Sequence, residues 1–308
     1  MKRPALLLFA ALALFPLGAK FGLETYLLSF GARALIFALA ALSLDFLIGQ
    51  AALVSFGHAA YLGIGAYAVA ISSLFGVDEL VLQAILAVAA ATLFAVLTGY
   101  VSLRATGVYY IMSSLAFGQM LYFLFVSLSE LGGDDGFTLP ARSRIAGSTA
   151  IADDFVFYYL CLGVLGAAYL FLARAAGSRF GRVVAAIRQD ALRARALGFS
   201  PLPYQIVSCA IAGSVAAIAG VLLANHSEFV APSFMSWQRS GELIVMTVLG
   251  GVGSLWGAVL GAIVYLSLDE ALSLVTDETH LVIGPLLVMV ALFGRRGLAG
   301  WIGSAGAA

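Results

Sequence analysis

The chain has 308 residues, of which 62% are apolar or aromatic and 10% are charged, and its mean hydropathy is +1.04. A water-soluble fold of this length cannot bury so much apolar surface, so lipid must be the solvent for most of it. The 16 basic and 16 acidic residues balance, and this composition excludes a soluble enzyme, a nucleic-acid-binding protein and a disordered scaffold.

Uncharged runs that approach the roughly 17–25 residues of a membrane-spanning helix recur along the whole chain. These runs predict an all-α polytopic membrane protein, organised as one transmembrane domain over residues 1–308. About ten transmembrane helices are expected, with a range of eight to ten because several runs are short and the eighth and ninth are separated only by glycine. The runs cover residues 4–19, 29–49, 51–77, 80–103, 107–129, 155–173, 203–224, 243–256, 258–275 and 281–294.

The first run follows Lys2 and Arg3 and also has the features of a signal peptide, namely a basic start and a short apolar stretch. Retention of this run as a helix fits the charge pattern better. With ten crossings and a cytoplasmic start, 11 of the 16 basic residues fall inside, which favours both termini in the cytoplasm. The inside residues are Lys2, Arg3, Arg104, Arg174, Arg179, Arg182, Arg188, Arg193, Arg195, Arg295 and Arg296; Lys20, Arg33, Arg142, Arg144 and Arg239 fall outside or near the outer surface.

The sequence lacks the residues that a nucleotide-binding or metal-binding protein needs. Lys2 and Lys20 are the only lysines, so there is no phosphate-binding Gly-Lys-Ser/Thr loop, and any ATP must be bound by another chain. The three histidines are far apart, which argues against a metal site. Cys161 and Cys209 lie in apolar runs and are expected to be small buried residues. We therefore expect no cofactor in this chain.

The only sizeable inside loop, residues 174–203, is rich in arginine. Apolar residues at spacings of three and four predict one helix from Phe180 to Gly198, with Gly198 as its C-terminal cap and Pro201 preventing its continuation. One interpretation is an interfacial helix whose arginines contact anionic lipid. The other is a docking helix whose small residues allow close approach to another protein. Its expected contact residues are Arg182, Ala185, Ala186, Asp190, Ala194 and Gly198.

Residues 181–198 resemble the cytoplasmic segment of LivM-type permeases, which are membrane subunits of branched-chain amino acid ABC importers. Further stretches resemble the same family in the same order, and the resemblance extends from about residue 40 to residue 300. They are Ser55–Tyr67 (SFGHAAYLGIGAY), Gly107–Tyr110 with Leu115–Gly118, the outer-loop segment Gly132–Gly136 (GGDDG) and the turn Leu249–Gly257 (LGGVGSLWG).

This resemblance implies the permease subunit of an importer in the bacterial inner membrane. The implied partners are a second, LivH-like permease, two ATPase subunits that grip the coupling loop 174–203, and a periplasmic binding protein that delivers the solute. Branched-chain or related amino acids are the implied solute. Two alternatives remain: a self-contained secondary transporter, which would need midplane charges, and a membrane-embedded enzyme, for which no nucleophile–base motif is visible.

Two glycine-rich stretches are candidates for the translocation path or its gate. Gly57, Gly63 and Gly65 surround His58, an ionisable residue inside a span and therefore a functional candidate, although structural hydrogen bonding is the alternative. The second stretch contains Gly250, Gly251 and Gly253, which predict either a broken, pore-lining helix or a simple tight hairpin. Asp45, Asp269 and Glu270 are expected at the membrane interfaces.

Overall fold

The computed structural model describes residues 3–19, 24–105, 107–145, 147–148, 150–274, 284 and 297–300. Within this part of the chain the regular secondary structure is helical, as predicted, and the only named strands are one pair of two residues each. The helices are α1 (Arg3–Ala19), α2 (Glu24–Ala51), α3 (His58–Leu74), α4 (Leu80–Ser102), α5 (Val108–Val126), α6 (Asp154–Gly177), α7 (Arg179–Gln189), α8 (Ala191–Ala196), α9 (Pro201–Ser227), α10 (Trp237–Gly250) and α11 (Leu255–Ser273). The strands are β1 (Phe137–Thr138) and β2 (Phe229–Val230), which pair antiparallel.

Six helices are long and apolar enough to cross a membrane, namely α2, α4, α5, α6, α9 and α11. Helices α1 and α3 are also apolar but shorter. These helices and α10 correspond to nine of the ten predicted runs. The tenth run, 281–294, lies outside the described residues except for Gly284, and Lys2, Lys20, Arg295 and Arg296 also lie outside them. The multi-pass helical fold is therefore confirmed, and the count of ten spans stays a prediction.

Two helices, α2 and α9, form the centre of the bundle. Residues 34–49 of α2 are buried without interruption, and α9 is buried along most of its second half. A helix that is apolar on all sides belongs in the interior, as the unbroken apolar runs indicate. Helices α3 and α4 pack on α9, whereas α10 and α11 pack on α2. Each central helix therefore packs against helices from the other half of the chain.

The bundle has two ends that the structure distinguishes. At one end β1 and β2 pair, and Arg142 joins the start of α6 to the end of α9 through Asp154 and Glu228. We call this the strand end. At the other end Arg188 of α7 donates a hydrogen bond to the carbonyl oxygen of Gly49 at the end of α2. We call this the α7–α8 end.

Two spans, α3 and α10, begin inside the bundle instead of at its surface. Helix α3 starts at His58, level with Ser43, which lies eight residues or about 12 Å before the end of α2. Apart from Ala51, which ends α2, the predicted run 51–77 is therefore helical only over His58–Leu74, and Gly57 precedes this helix. The chain turns at Ala52, where φ is +55°, and residues 53–57 return into the protein without helical structure.

Helix α10 is entered in the same way from the strand end. Residues 228–236 form β2 and a 3-10 turn, Pro232–Met235, before α10 begins beside α2. The backbone around Val230–Pro232 is buried, as it is at Leu53 and Ser55. Non-helical backbone is tolerated at membrane depth only where protein covers it or it lines a cavity. We call α3 and α10, with the non-α-helical segments that lead into them from opposite ends, the two broken spans; that they cross the membrane stays a prediction.

The glycine-rich stretch after α10 forms a tight hairpin, which was one of the two predicted alternatives. Helix α10 ends at Gly250, and Gly251 and Gly253 adopt φ values of +107° and +82° before α11 begins at Leu255. The predicted boundary between the runs at Gly257 was wrong, because this glycine lies inside α11. The broken helix that was the other predicted alternative is not seen at Gly250–Gly253; the non-α-helical segment lies before α10, at residues 228–236.

The arginine-rich loop contains two helices, so the prediction of one helix over 180–198 was wrong. Asp190 separates α7 from α8 with φ −157°, and its carboxylate accepts hydrogen bonds from the backbone N–H groups of Leu192 and Arg193, at 2.9 and 3.0 Å. An aspartate that caps a new helix competes with continuation of the old one. Gly198 follows α8 with φ +89°, as expected for a cap, and Pro201 begins α9.

Candidate functional site

A buried polar cluster lies where the two broken spans meet α2. His58 Nε2 lies 2.8 Å from Ser43 Oγ, and the Ser43 hydroxyl donates to the carbonyl oxygen of Ala40 at 2.7 Å. When the Ser43 hydroxyl proton is given to Ala40, Ser43 can only accept from the ring, through the tautomer that carries its proton on Nε2. The backbone N–H of Ala59 donates to Ser240 Oγ of α10 at 3.0 Å. We call Ser43, His58 and Ser240 the central polar cluster; all three are fully buried.

Structural hydrogen bonding of His58 is thus observed, and a role in gating stays a prediction. The other ring nitrogen, Nδ1, is buried and has no hydrogen-bond partner among the described residues. Ser43 and Ser240 were not among the predicted site residues. Serine in an apolar run gives a weak sequence signal, because its hydroxyl can also bond to the carbonyl four residues earlier in the same helix.

An ion pair lies next to this cluster, on the accessible side of α10. Arg239 donates to Glu242 at 2.6 Å, with the two side chains 28% and 22% exposed. The guanidinium lies over the ring of Phe37, 5.4 Å from its centroid, in the buried stretch of α2. Arg239 was predicted at or near the outer surface; it lies beside the middle of α2, and its position relative to the membrane surface stays a prediction. Charges at membrane depth almost always face a bundle interior or a water-filled cavity.

The predicted path glycines are sites of close helix contact. A Cβ atom at Gly57 would overlap the carbonyl oxygen of Ser114 in α5, and one at Gly65 would overlap that of Ala217 in α9. Gly63 packs against Met235, in the turn before α10, and Gly250 packs against Gly257. Such small residues let helices approach closely in lipid. They hold the broken spans in place, and their lining of a path stays a prediction.

A chain of contacts connects α7 to the α10–α11 hairpin through α2. Asp45, expected at the interface, is buried in α2, and its Oδ1 accepts a hydrogen bond from the Gly253 N–H at 2.7 Å. Four residues later, Gly49 accepts the hydrogen bond of Arg188 and lies against Gly253. Displacement of α7 would therefore act directly on the end of α2 and on the hairpin.

The predicted coupling residues are distributed over two faces of α7 and α8. Arg182, Ala186 and Gly198 are exposed, and Ala185 and Asp190 are half-buried. Ala194 is buried in this chain, so its side chain is not available to a partner. Val184 and Ile187 anchor α7 to the bundle. The available docking surface is the exposed face of α7 with Arg182, Ala186 and Gln189, which we call the α7 outer face.

The carboxylate of Asp190 is stabilised in its charged form. The hydrogen bond from the Arg193 backbone N–H contributes most and lowers the pKa of the Asp190 carboxyl, with further contributions from the Leu192 N–H and the Arg193 charge. The Arg193 guanidinium lies 3.7 Å from the carboxylate. Asp190 is therefore ionised at neutral pH and defines the start of α8.

Helix α5 is the least buried and least apolar of the six candidate spans. Its exposed face combines aromatic and methionine side chains, Tyr109, Met112, Met120 and Phe123, and Gln119 is half-exposed at its edge. Helix α4, in contrast, exposes mainly leucine, isoleucine and valine, as a lipid-facing helix does. The α5 face is therefore the better candidate for contact with protein or water.

Comparisons of the sequence with known proteins bear on what this helical bundle does. Residues 26–292 match the family described as branched-chain amino acid transport system, permease component. The high-affinity branched-chain amino acid transport system permease protein LivM of Escherichia coli is 26% identical over 291 residues, covering 86% of this chain and 68% of LivM. LivH of the same organism is 32% identical over 126 residues, covering 40% of each chain. The xylose transport system permease protein XylH of Haemophilus influenzae is 31% identical over 144 residues, covering 43% and 37%. No solved structure matches significantly.

Proposed function

The chain belongs to the family of branched-chain amino acid transport permeases, and on this premise we propose that it forms half of the pathway by which an importer moves branched-chain or related amino acids. It is a multi-pass permease subunit of an ATP-binding-cassette importer and not an enzyme. The proposed location is the bacterial inner membrane, with both termini in the cytoplasm.

The Arg239–Glu242 pair is the observation that carries the proposed pathway. Both charges lie beside the central polar cluster and remain partly accessible, so they require a polar surrounding at that depth. The neighbouring Gly241 has open space where a side chain would stand. A guanidinium and a carboxylate also complement the two charged groups of an amino acid. The solute is therefore proposed to pass the accessible face of α10.

Transport by variants of this pair tests the pathway. Glu242→Gln and Arg239→Gln each leave one charge without its partner, and each should lower the uptake rate by about tenfold or more, which corresponds to about 1.4 kcal/mol. Radiolabelled leucine uptake measures the rate, with excess isoleucine and xylose as competitors. Arg174→Gln, which replaces an exposed arginine in the last turn of α6, is the control. Normal uptake by both variants would show that the solute does not pass the accessible face of α10. Competition by xylose instead of isoleucine would overturn the amino acid assignment.

The α7 outer face is proposed to bind the ATPase. It carries a small side chain, Ala186, and is linked through Arg188 and Gly49 to the hairpin after α10. Ala186→Trp should overpack a docking groove, at about 1–3 kcal/mol, and weaken retention of the ATPase by about tenfold. Ala191→Trp, at the start of α8, is the matched control. Normal ATPase retention by Ala186→Trp in an affinity-purified complex would contradict this assignment.

Energy coupling distinguishes the proposal from a secondary transporter. The chain has two lysines and no phosphate-binding loop, so accumulation should require the separate ATPase subunits. The purified chain alone in liposomes should accumulate no leucine after addition of ATP or imposition of a proton gradient. Accumulation driven by the proton gradient would establish the secondary transporter instead, with Glu242 as the first carboxylate to replace.

The remaining partners are assigned by surface. The exposed α5 face is proposed to contact a second, LivH-like permease, which would supply the other half of the pathway. The strand end is proposed to receive the periplasmic binding protein. There, Arg142 connects the loop before α6 to Asp154 and Glu228, and Ser143 connects it to Gln83 and Asn225. A loop held by these contacts offers a fixed surface for docking.

A further inference from the structure

A cavity of about 470 Å³ opens beside the inner face of α7 and α8, at the α7–α8 end of the bundle. Its walls come from the end of α2, the turn between α4 and α5, the start of α5, and the start of α9. They are mostly apolar and include Leu53, Leu103, Val108, Ile111 and Ile187. The volume lies within the range of ligand sites, roughly 300–1,000 Å³.

Two arginines, Arg188 and Arg195, line the same cavity, with Gln205 as a further polar group. Arg188 donates to the Gly49 carbonyl and interacts electrostatically with Asp45, which is buried behind it. Asp190 is held by Arg193 and by two backbone N–H groups. Within the described residues, Arg195 has no carboxylate at ion-pair distance. The cavity therefore carries uncompensated positive charge at Arg195.

The position of the cavity determines which anion suits it. The ends of four spans border it, at Ala51 of α2, Leu103 after α4, Val108 of α5 and Pro201 of α9. Spans end at the level of the lipid headgroups, and basic pockets there attract anionic lipids. A soluble anion would gain nothing from the apolar wall formed by Val108 and Ile111. An amphiphile satisfies both the charged and the apolar parts of the lining.

We propose that this cavity binds an anionic phospholipid, with its phosphate at Arg195 and Arg188 and an acyl chain along Val108 and Ile111. The site lies on the side of α7 opposite the α7 outer face, so lipid and a docked ATPase would contact different faces of the same helix. Bound lipid would connect α7 and α8 to the start of α5. This inference rests on the spans and the cavity, and it does not depend on the assignment of the ATPase surface.

Lipid retention by the full-length detergent-purified chain tests the proposal. Native mass spectrometry would compare binding of dioleoylphosphatidylglycerol with that of dioleoylphosphatidylcholine, and glycerol 3-phosphate would serve as the headgroup without chains. Wild type should prefer the anionic lipid. Arg195→Gln should reduce that preference about fivefold, as expected for removal of one cation near the membrane surface. Arg195 is exposed, so its replacement should leave the fold intact.

Two further variants distinguish the contribution of the Arg195 charge from that of the cavity volume. Ala191→Trp should fill the cavity and lower lipid binding while Arg195 stays in place, whereas Arg182→Gln, on the α7 outer face, should bind lipid as wild type does. An unchanged lipid preference in Arg195→Gln would overturn the proposal. Binding of glycerol 3-phosphate as strong as that of the lipid would also overturn it, and would indicate a site for soluble phosphates. Loss of ATPase retention in Ala186→Trp with normal lipid binding would show that the two assignments are separate.

Discussion

Single residues in this chain act mainly through close approach and through hydrogen bonds between distant segments. Gly65 allows α3 to contact the backbone of α9, and Ser43 and Ser240 satisfy groups at the start of α3. In lipid, apolar burial gives helices no net drive to associate, so these contacts and their packing are what hold the spans together. Loss of one contact should therefore be measurable in the stability of the protein.

Gly65→Ala should destabilise the protein by about 1–3 kcal/mol, because the added methyl group would overlap the carbonyl oxygen of Ala217. Gly163→Ala is the matched control, since Gly163 also lies inside a helix but has no atom within 4 Å of the added group. The control should be neutral or more stable by at most about 1 kcal/mol. Denaturant unfolding in detergent measures both variants, and equal stabilities would contradict the close contact.

Asp190→Ala should loosen α8, whereas Asp190→Asn should retain most of its structure because an amide oxygen also caps a helix. Trypsin cleavage after Arg193 in the solubilised protein would measure the difference. The folded-state pKa of Asp190 is lowered, so its stabilisation is fully present above its ordinary value near 4 and is lost as the pH falls through the lowered pKa. Neutral-range pH changes should leave α8 protected. Equal cleavage of the alanine and asparagine variants would exclude the cap.

The sequence predicts burial better than it predicts partners. Cys161 and Cys209 lie in apolar runs and are buried and free, as expected. The Asp45 contact to Gly253 joins residues 208 positions apart, and no local pattern indicates it. The contacts of Arg239 were missed for a similar reason: Phe37 lies in α2, about 200 positions away, and Glu242 lies with Arg239 in α10, which begins inside the bundle. A hydropathy run does not show where such a helix starts.

Whole elements were predicted where local rules determine them and missed where tertiary contacts do. The long apolar helices α4, α6 and α9 agree with their runs, because length and composition suffice to specify a span. The late start of α3 depends on tertiary contacts: Ser114 accepts a hydrogen bond from the Phe56 N–H, and Ser43 bonds to His58 at the start of the helix. The break between α7 and α8 has a local cause in Asp190, whose capping signal lies inside an otherwise periodic pattern.

The α5 face should be covered when the second permease binds, and the α4 face should stay in lipid. A cysteine replacing Met120 in α5 should crosslink to the partner permease in native membranes, and one replacing Leu93 in α4 should not, although both side chains are exposed in this chain. The two native cysteines are buried and should react little. Crosslinking from position 93 with none from position 120 would place the partner on the other side of the bundle.

At the scale of the whole molecule, the distribution of arginine agrees with the proposed orientation. Arg104, Arg174 and the arginines of α7 and α8 lie at the α7–α8 end, whereas Arg142 and Arg144 lie at the strand end. Positive residues accumulate on the cytoplasmic side of membrane proteins. The α7–α8 end is therefore expected in the cytoplasm, in agreement with the proposed ATPase surface.

Single cysteines at Gln189 and Ser148 test this orientation, because they lie at opposite ends of the bundle. In intact cells a membrane-impermeant maleimide should label position 148, and position 189 should react only after permeabilisation. A double variant carrying both cysteines controls for expression. Labelling of position 189 in intact cells would invert the topology and place the proposed ATPase surface outside.

Helix α2 packs against α10 and α11, which are synthesised much later, and this order affects how the protein folds during synthesis. Thr247 contacts the Ala41 carbonyl, 206 residues earlier in the chain. At ribosomal speeds of about 5–20 residues per second, α2 would wait roughly 10–40 s for α10 and α11 to emerge. During that interval Asp45 lacks its Gly253 partner, and an unpaired polar group within the hydrocarbon region costs several kcal/mol. A chain truncated after α9 would keep Asp45 without this partner, so it should be less stable in the membrane than the full chain.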